Sequence, residues 1–238
     1  MANELAIVDV SRYAIMRGTG AAIMRENLAG DQITASDLPH IKVPSSGSKN
    51  WELPPDGTGV PSFDGIIIYT ALQKTRWEGS TPTPGTPPIC AGRVNTQTGA
   101  WLGMGIPGGD CKQCPYGEFG SEIRPDGQPG RGKACSDKRI CLIATSNGVL
   151  PAILYVPATS LSNFKKYLLG LDARYQHVVT HFALEQDKSA SGIVYSKVVP
   201  SKAGNISSDA IVQVTDMINS MTALFQQIIV AAPPTESE

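Results

Sequence analysis

The strongest constraint on this chain is the placement of its cysteines. Four of the five, Cys90, Cys111, Cys114 and Cys135, fall within residues 89–135, a segment rich in glycine and proline. Such a segment has little apolar core of its own, so we expect its shape to depend on cross-links between side chains. Cys111 and Cys114 form a Cys-x-x-Cys pair, a spacing that is typical of half a zinc site.

A disulfide framework is disfavoured for these cysteines. Their number is odd, and the N-terminal sequence MANELAIVDVSRYAIMRG has acidic residues early and no long apolar run, which is unlike a secretory signal. We therefore expect a cytoplasmic protein in a reducing compartment, where disulfides are rare. No apolar run approaches the roughly 18 residues of a membrane span, so no membrane association is expected. A thioredoxin-like redox pair is also disfavoured, because no βαβ unit is predicted around the motif.

Tetrahedral zinc requires four thiolate or imidazole ligands. We take Cys90, Cys111, Cys114 and Cys135 as the ligand set, because each is predicted to lie in a loop and loops converge on a metal more easily than a strand interior does. The alternative set replaces Cys90 by Cys141, which falls inside a predicted strand. Either site would be closed and structural, with no chemistry carried out by the metal.

Hydrophobic patterns outside the cysteine-rich segment predict a β-rich protein. β-branched and aromatic runs bounded by turn residues predict strands, and they cover residues 65–77, 139–146, 148–157 and two parts of 175–200. The Ser-Asn-Gly turn between 139–146 and 148–157 predicts that these two strands pair as a hairpin. Apolar residues at helical spacing predict helices at residues 1–30, 160–171 and 205–231. Ser160 is the expected N-cap of the second helix, and Ser207 or Ser208 is the expected N-cap of the third. Proline predicts a loop at 79–88.

We expect a mainly β (α+β) fold with an OB-like β-barrel core, because a small number of strands with one intervening helix suits a barrel of that type. An open α+β sheet is the competing arrangement. The predicted organisation is one domain over residues 1–231, with a zinc-binding insertion at about 86–138. Residues 232–238 are predicted to form a disordered tail.

Several motifs resemble those of a family of phage and mobile-element proteins. The matching runs are PPIC (87–90), CKQCPYGEFGS (111–121), GRGKAC (130–135) and LPAILYVPATSLSNFKKYLLGL (150–171). The resemblance covers about residues 65–200, and the sequence departs from the family pattern at Cys141 and in the proline-rich loop. It implies an OB-like core with a structural zinc insertion, and single-stranded DNA binding during phage or mobile-element replication or recombination in the bacterial cytoplasm. It also favours Cys90 over Cys141 as the fourth ligand.

Local charge is compatible with this function. The net charge of the chain is −1, so a nucleic-acid binder needs a local basic patch. Cations and aromatic residues occur together at the end of the 65–77 strand and in the cysteine-rich segment. The candidates are Lys74, Arg76, Trp77, Lys112, Tyr116, Arg131, Lys133 and Arg139. We expect the cations to contact phosphates, and Trp77 and Tyr116 to stack on bases.

Recognisable catalytic motifs are absent from the sequence. It contains no G-x-S-x-G, H-E-x-x-H or phosphate-binding G-x-x-x-x-G-K-[ST] motif, and its acids are scattered rather than clustered for magnesium. We expect a non-enzymatic protein with zinc as cofactor, single-stranded DNA as ligand, and replication or recombination proteins as further partners. The alternative is a zinc-stabilised protein–protein interaction module that does not bind nucleic acid, which the near-neutral charge favours.

Overall fold

A computed structural model divides the chain into two compact units. It describes residues 7–11, 13, 26, 37–44, 46–78, 88–94, 98–124, 126–146, 148, 150–189, 192–216 and 218–219. Unit 1 comprises the described residues of Met1–Thr70 and Cys141–Ile228, and unit 2 those of Ala71–Ile140. Unit 2 contains the predicted insertion at about 86–138 and extends beyond it. Most of 1–30 and of the 79–88 loop, and the whole tail at 232–238, lie outside the described residues.

The described part of the chain is mainly β, as predicted. Its strands are β1 (Ile7–Val8), β2 (His40–Ile41), β3 (Trp51–Leu53), β4 (Thr58–Val60), β5 (Ser62–Arg76), β6 (Cys90–Val94), β7 (Trp101–Gly105), β8 (Gly109–Asp110), β9 (Cys135–Thr145), β10 (Ala152–Val156), β11 (Val178–Lys188) and β12 (Val194–Ile206). Helix α1 (Leu161–Leu169) lies between β10 and β11. Residues 208–216 form a further helical segment, while 220–231 of the predicted C-terminal helix are outside the description.

Unit 1 is organised around the antiparallel pair β11 and β12, which are joined along the whole of β11. β1 adds to the end of β12 in parallel, and β11 pairs on its other side with the first part of β5, where Thr180 lies opposite Gly65. β10 pairs with β2 in parallel and also with β9. The predicted pairing of the 139–146 and 148–157 strands is therefore confirmed.

Among the described residues, ten strands form an open mixed sheet that does not close into a barrel, and β3 and β4 form a separate two-stranded sheet. The predicted OB-like barrel is thus not found there, and the pairing corresponds to the open-sheet alternative. One physical reason is the length of the outer strands: β1 and β8 have two residues each. Such strands cannot supply the continuous staggered pairing that closes a barrel.

The core of unit 1 explains why the β5 segment is a strand. Ile66, Ile67 and Ile68 are consecutive and fully buried, so both faces of β5 are covered at this point. A continuous β-branched run is the sequence signature of such a strand. Phe63 of β5 stacks on Phe182 of β11 with ring centroids 4.8 Å apart, and Trp51 meets Phe63 edge-on at 5.2 Å.

Two serines begin helices in different ways. Ser160 precedes α1, but its buried hydroxyl does not cap the helix and instead accepts a hydrogen bond from the Val198 N–H at 2.9 Å. Ser207 caps the segment at 208–216, because its hydroxyl accepts a hydrogen bond from the Ala210 N–H at 3.3 Å. No helix within the described residues is long and apolar enough to cross a membrane.

Gly65 offers a test of packing in unit 1. A Cβ at this position would overlap the Ile143 side chain and lie 3.2 Å from the Ala144 carbonyl oxygen. We therefore predict that Gly65→Ala lowers the free energy of unfolding by about 1–3 kcal/mol, as overpacking does. Urea denaturation followed by circular dichroism measures the effect.

Gly59→Ala is the matched control, because a Cβ at residue 59 meets no atom within 4 Å. It should leave the urea midpoint within the scatter of the wild type. An equal effect of the two substitutions would contradict the packing described for Gly65.

Candidate metal centre and basic surface of unit 2

Four cysteines of unit 2 line one small cavity. Its wall is formed by Lys74, Arg76, Cys90, Gly92, Pro107, Gly108, Cys111, Cys114, Tyr116, Gly117 and Cys135. The cavity volume of about 10 Å³ is room for one water-sized particle. This space is therefore suited to a single ion rather than to an organic ligand.

The cysteines reach the cavity from strand ends as well as from turns. Cys90 is the first residue of β6 and Cys135 the first residue of β9, so the prediction that all four would lie in loops is wrong for these two. Cys111 follows β8, and its N–H donates to the Trp101 carbonyl at 3.0 Å. Cys114 immediately precedes the 3₁₀ turn Pro115–Gly117.

Two glycines leave the space that the thiols occupy. Gly92 of β6 lies opposite Gly103 of β7. A Cβ at residue 92 would lie 2.5 Å from the Cys111 Sγ, and a Cβ at residue 103 would lie 3.2 Å from the Cys90 Sγ and 3.4 Å from the Cys111 Sγ. A Cβ at residue 92 would therefore collide with the Cys111 sulfur, whereas a Cβ at residue 103 would make a tight contact from which the Cys90 sulfur would have to shift slightly.

The surroundings favour the protonated form of two of the thiols, because they raise the pKa of Cys111 and of Cys135. Burial raises the pKa of Cys135 to about 11. Burial also raises the pKa of Cys111, and the neighbouring Cys90 and Cys114 sulfurs raise it further. The positive charge of the Lys74 ammonium acts against this rise and lowers the pKa of both Cys111 and Cys135. Thiolates at this site therefore require a compensating positive charge.

The fit of a zinc ion to this cluster rests on donors and space. As they stand, no group of three or more His, Cys, Asp or Glu side chains among the described residues is arranged so that it could hold a metal ion. The donor set of four thiols is nevertheless that of a structural zinc site, and the cavity is of ionic size. Since zinc–sulfur bonds are about 2.3 Å long, the thiols would have to close on the ion.

Cys141 has a different environment. It is fully buried in the hydrophobic core of unit 1, with Ile143 and Phe182 in the same cluster. Its sulfur lies 3.3 Å from the Thr70 hydroxyl oxygen. It takes no part in the wall of the four-cysteine cavity.

Two predicted phosphate contacts, Lys74 and Arg76, face the thiols. On neighbouring strands, Lys74 lies opposite Gly92 and Arg76 opposite Cys90, and directly opposed residues share a face of the sheet. Lys74 forms an ion pair with Asp137. Both cations are therefore placed to interact first with the cysteine cluster and its surroundings.

Each of these cations also contacts an aromatic ring. The Lys74 ammonium lies 5.3 Å from the centroid of the Trp101 ring, and the Arg76 guanidinium lies 3.7 Å from the centroid of the Tyr116 ring. Arg76 also donates a hydrogen bond to the Ile106 carbonyl at 3.2 Å. Tyr116, predicted to stack on a base, is thus covered on one face by Arg76.

The remaining predicted contacts differ in exposure. Trp77 is only 5% exposed, so its ring has no open face and the predicted stacking role is not supported. Arg139 lies in β9 and is half-buried. Lys112 and Arg131 are exposed, and Lys133 is partly exposed and lies 3.7 Å from the Asp137 carboxylate.

Phe119 is a candidate nucleic-acid contact that is not among the residues predicted from the sequence. Its side chain is 80% exposed, and the Lys133 ammonium lies 4.8 Å from its ring centroid. Its sequence signal was its position in a polar turn, between Glu118 and Gly120, where no hydrophobic periodicity requires an aromatic residue.

The turn that carries Phe119 is held by Ser121. The Ser121 hydroxyl lies 3.0 Å from the Tyr116 carbonyl oxygen and 2.6 Å from the Glu118 carbonyl oxygen, and it accepts a hydrogen bond from the Ala134 N–H at 3.0 Å. One side chain therefore connects the Phe119 turn to the segment that leads into β9.

Comparison of the chain with models of known protein families, with curated protein sequences and with solved structures found no significant match. The resemblance to phage and mobile-element proteins therefore rests on the motifs alone and stays a prediction.

Ser121→Ala tests the connection within this turn. The substitution leaves the N–H of the buried Ala134 without its acceptor, which we expect to cost about 1–3 kcal/mol. Hydrogen exchange at the Ala134 amide should be faster than in the wild type. Ser201→Ala, at an exposed position of β12, is the control, and equal exchange at Ala134 in both variants would contradict the role of Ser121.

Proposed function

We propose that this chain is a non-enzymatic, zinc-stabilised single-stranded DNA-binding protein. The observation that carries the proposal is that an ion-sized cavity lined by four thiols lies among cation–aromatic pairs of the same unit. The pairs are Lys74 with Trp101, Arg76 with Tyr116, and Lys133 with Phe119. Binding to single strands requires cations for the phosphates and aromatic faces for the bases.

The zinc would be held by Cys90, Cys111, Cys114 and Cys135. When bound, it supplies a structural cross-link and no open coordination position. It joins the starts of β6 and β9 to the turn that carries the Cys-x-x-Cys pair. The free energy of metal binding then becomes folding free energy for a segment rich in glycine and proline.

The charge of a zinc–tetrathiolate divides the basic residues into two groups. Four thiolates with Zn²⁺ carry a charge of about −2, and Lys74 and Arg76, which face the cluster, offset it. The phosphate contacts are therefore assigned to cations outside the wall of the cavity, namely the exposed Lys112 and Arg131 and the partly exposed Lys133, which also lies 3.7 Å from the Asp137 carboxylate. Within Ala71–Ile140 the sequence has nine Lys and Arg against six Asp and Glu, whereas the whole chain carries −1. The positive surplus thus lies in the segment that contains four of the five cysteines.

The biological setting follows from the motif resemblance. We place the protein in the cytoplasm of a bacterial host, acting on single strands during replication or recombination of a phage or mobile element. Proteins of those processes are the proposed further partners.

Metal analysis of cysteine variants tests the zinc site. Purified wild type should contain about one zinc per chain, and Cys90→Ser or Cys135→Ser should lose most of it, because a closed site needs all four sulfurs. Cys141→Ser should keep the metal even if it unfolds more easily. The reverse pattern, with zinc lost from Cys141→Ser and kept by Cys90→Ser, would contradict the proposed ligand set.

A pair of glycine variants provides a second check on the same site. Gly92→Ala should lose zinc, because its Cβ would displace the Cys111 sulfur. Gly117→Ala, whose Cβ would meet nothing closer than 3.8 Å, should retain it. Equal zinc content in both variants would count against a metal enclosed by this cavity.

Nucleic-acid binding is tested by titrating zinc-loaded protein into fluorescent oligo-dT at two salt concentrations, with duplex DNA of equal length as control. We expect binding to the single strand that weakens as salt rises, with a logarithmic slope of about −0.7 for each phosphate contacted. Absence of binding at low salt by folded, zinc-loaded protein would refute the proposal.

The alternative, a protein-docking module, is favoured by exposed apolar side chains. Leu102 and Met104 of β7 are exposed and lie on the face opposite to Gly103 and the thiols, since strand side chains alternate. If oligo-dT is not bound, capture of a defined replication or recombination protein after nuclease treatment would support this function.

A further inference from the structure

We propose that Phe119 is a base-stacking platform, with Arg131 and Lys133 as the cations that hold the flanking phosphates. This inference rests on the proposed single-stranded DNA binding and names the residue that would recognise a base.

The exposure of Phe119 is the first observation. Among the described large hydrophobic side chains none has a greater exposed fraction than its 80%. An aromatic ring that stays in water contributes no free energy of burial to the fold. A ring kept outside the core is therefore typical of a contact surface. Its planar faces match the one feature that every nucleobase presents.

The turn that carries the ring is held by several hydrogen bonds. Besides the Ser121 hydrogen bonds, the Gly120 N–H donates to the Gly132 carbonyl at 2.8 Å, and the Gly132 N–H donates to the Glu122 carboxylate at 2.9 Å. The Gly130 N–H donates to the Glu122 carbonyl at 2.7 Å. Two segments of chain are thus tied together under Phe119, so that little ordering entropy remains to be lost on binding.

Gly130 and Gly132 have a specific role in this pairing. A Cβ at residue 132 would lie 2.6 Å from a Glu122 carboxylate oxygen, and one at residue 130 would overlap the same side chain. The Glu122 carboxylate therefore occupies the space that glycine provides at both positions. Arg131, between them, is left on the exposed side.

The charges around the ring complement a nucleic-acid strand. The Lys133 ammonium lies 4.8 Å from the Phe119 centroid and remains partly exposed, and Arg131 is exposed two residues earlier. A base stacked on a ring has a phosphate on each side of it along the strand. A cation near the ring and a second cation nearby can neutralise these phosphates.

The test measures oligo-dT affinity and its salt slope for three kinds of variant. Phe119→Ala should weaken binding about tenfold, the effect of a lost base stack, and leave the salt slope unchanged. Phe119→Leu should bind as weakly as Phe119→Ala. Phe119→Trp should keep the affinity of the wild type, and its indole fluorescence should be quenched on binding. Arg131→Ala with Lys133→Ala should instead reduce the magnitude of the slope by about 0.7 for each lost contact.

Leu102→Ala is the matched control, since it removes another exposed apolar side chain of unit 2 on the strand face away from the thiols. It should bind as the wild type does. Zinc content and the urea midpoint of each variant confirm that folding is unchanged.

Three negative outcomes are distinguishable. If the wild type binds oligo-dT and Phe119→Ala binds equally well, the stacking platform is overturned while the proposed function stands. Equal binding by Phe119→Leu and wild type would overturn aromatic stacking in favour of a general apolar contact. If the wild type does not bind oligo-dT at all, the proposed function fails and the platform fails with it.

Discussion

The arrangement of unit 2 depends on the contact between thiols and bare backbone. Gly92 and Gly103 face each other across β6 and β7, and the sulfurs of Cys90 and Cys111 occupy the space that two side chains would otherwise fill. This contact fixes which face of β7 lies against the thiols and which carries Leu102 and Met104. It also fixes the face on which Lys74 and Arg76 lie, because Lys74 is opposite Gly92 and Arg76 is opposite Cys90.

The face on which a basic residue of unit 2 lies says more about its interactions than the number of basic residues in the unit does. Lys74 interacts with Asp137 and Trp101, and Arg76 interacts with Tyr116 and a backbone carbonyl, all within the folded unit. Lys112 and Arg131 are exposed. A count of cations along the sequence treats these two groups alike, although a cation already paired within the fold has less to gain from a phosphate.

The sequence was a good guide where local patterns decide the structure. The buried isoleucine run of β5, the β9–β10 pair and α1 follow from β-branched runs and helical periodicity, and the structure confirms them. Whether the sheet is open or closed into a barrel could not be predicted in the same way. Closure depends on which strands pair over long sequence separations. Cys90 and Cys135 were assigned to loops because glycine and proline dominate the local composition, yet both begin strands. Trp77 and Phe119 show the same limit: the first is buried and the second exposed, and only the tertiary fold decides this.

One further consequence concerns the order in which the chain is made. The described residues of unit 2 all fall within Ala71–Ile140, whereas the strands of unit 1 come from both sides of that segment in the sequence. A ribosome therefore completes the four cysteines before it has made β10, β11 and β12. β11, which pairs with the first part of β5, is not yet synthesised at that stage. Vectorial synthesis thus allows the cysteine cluster to assemble first. The isoleucine run of β5 is buried only after the remaining strands of its sheet have been synthesised.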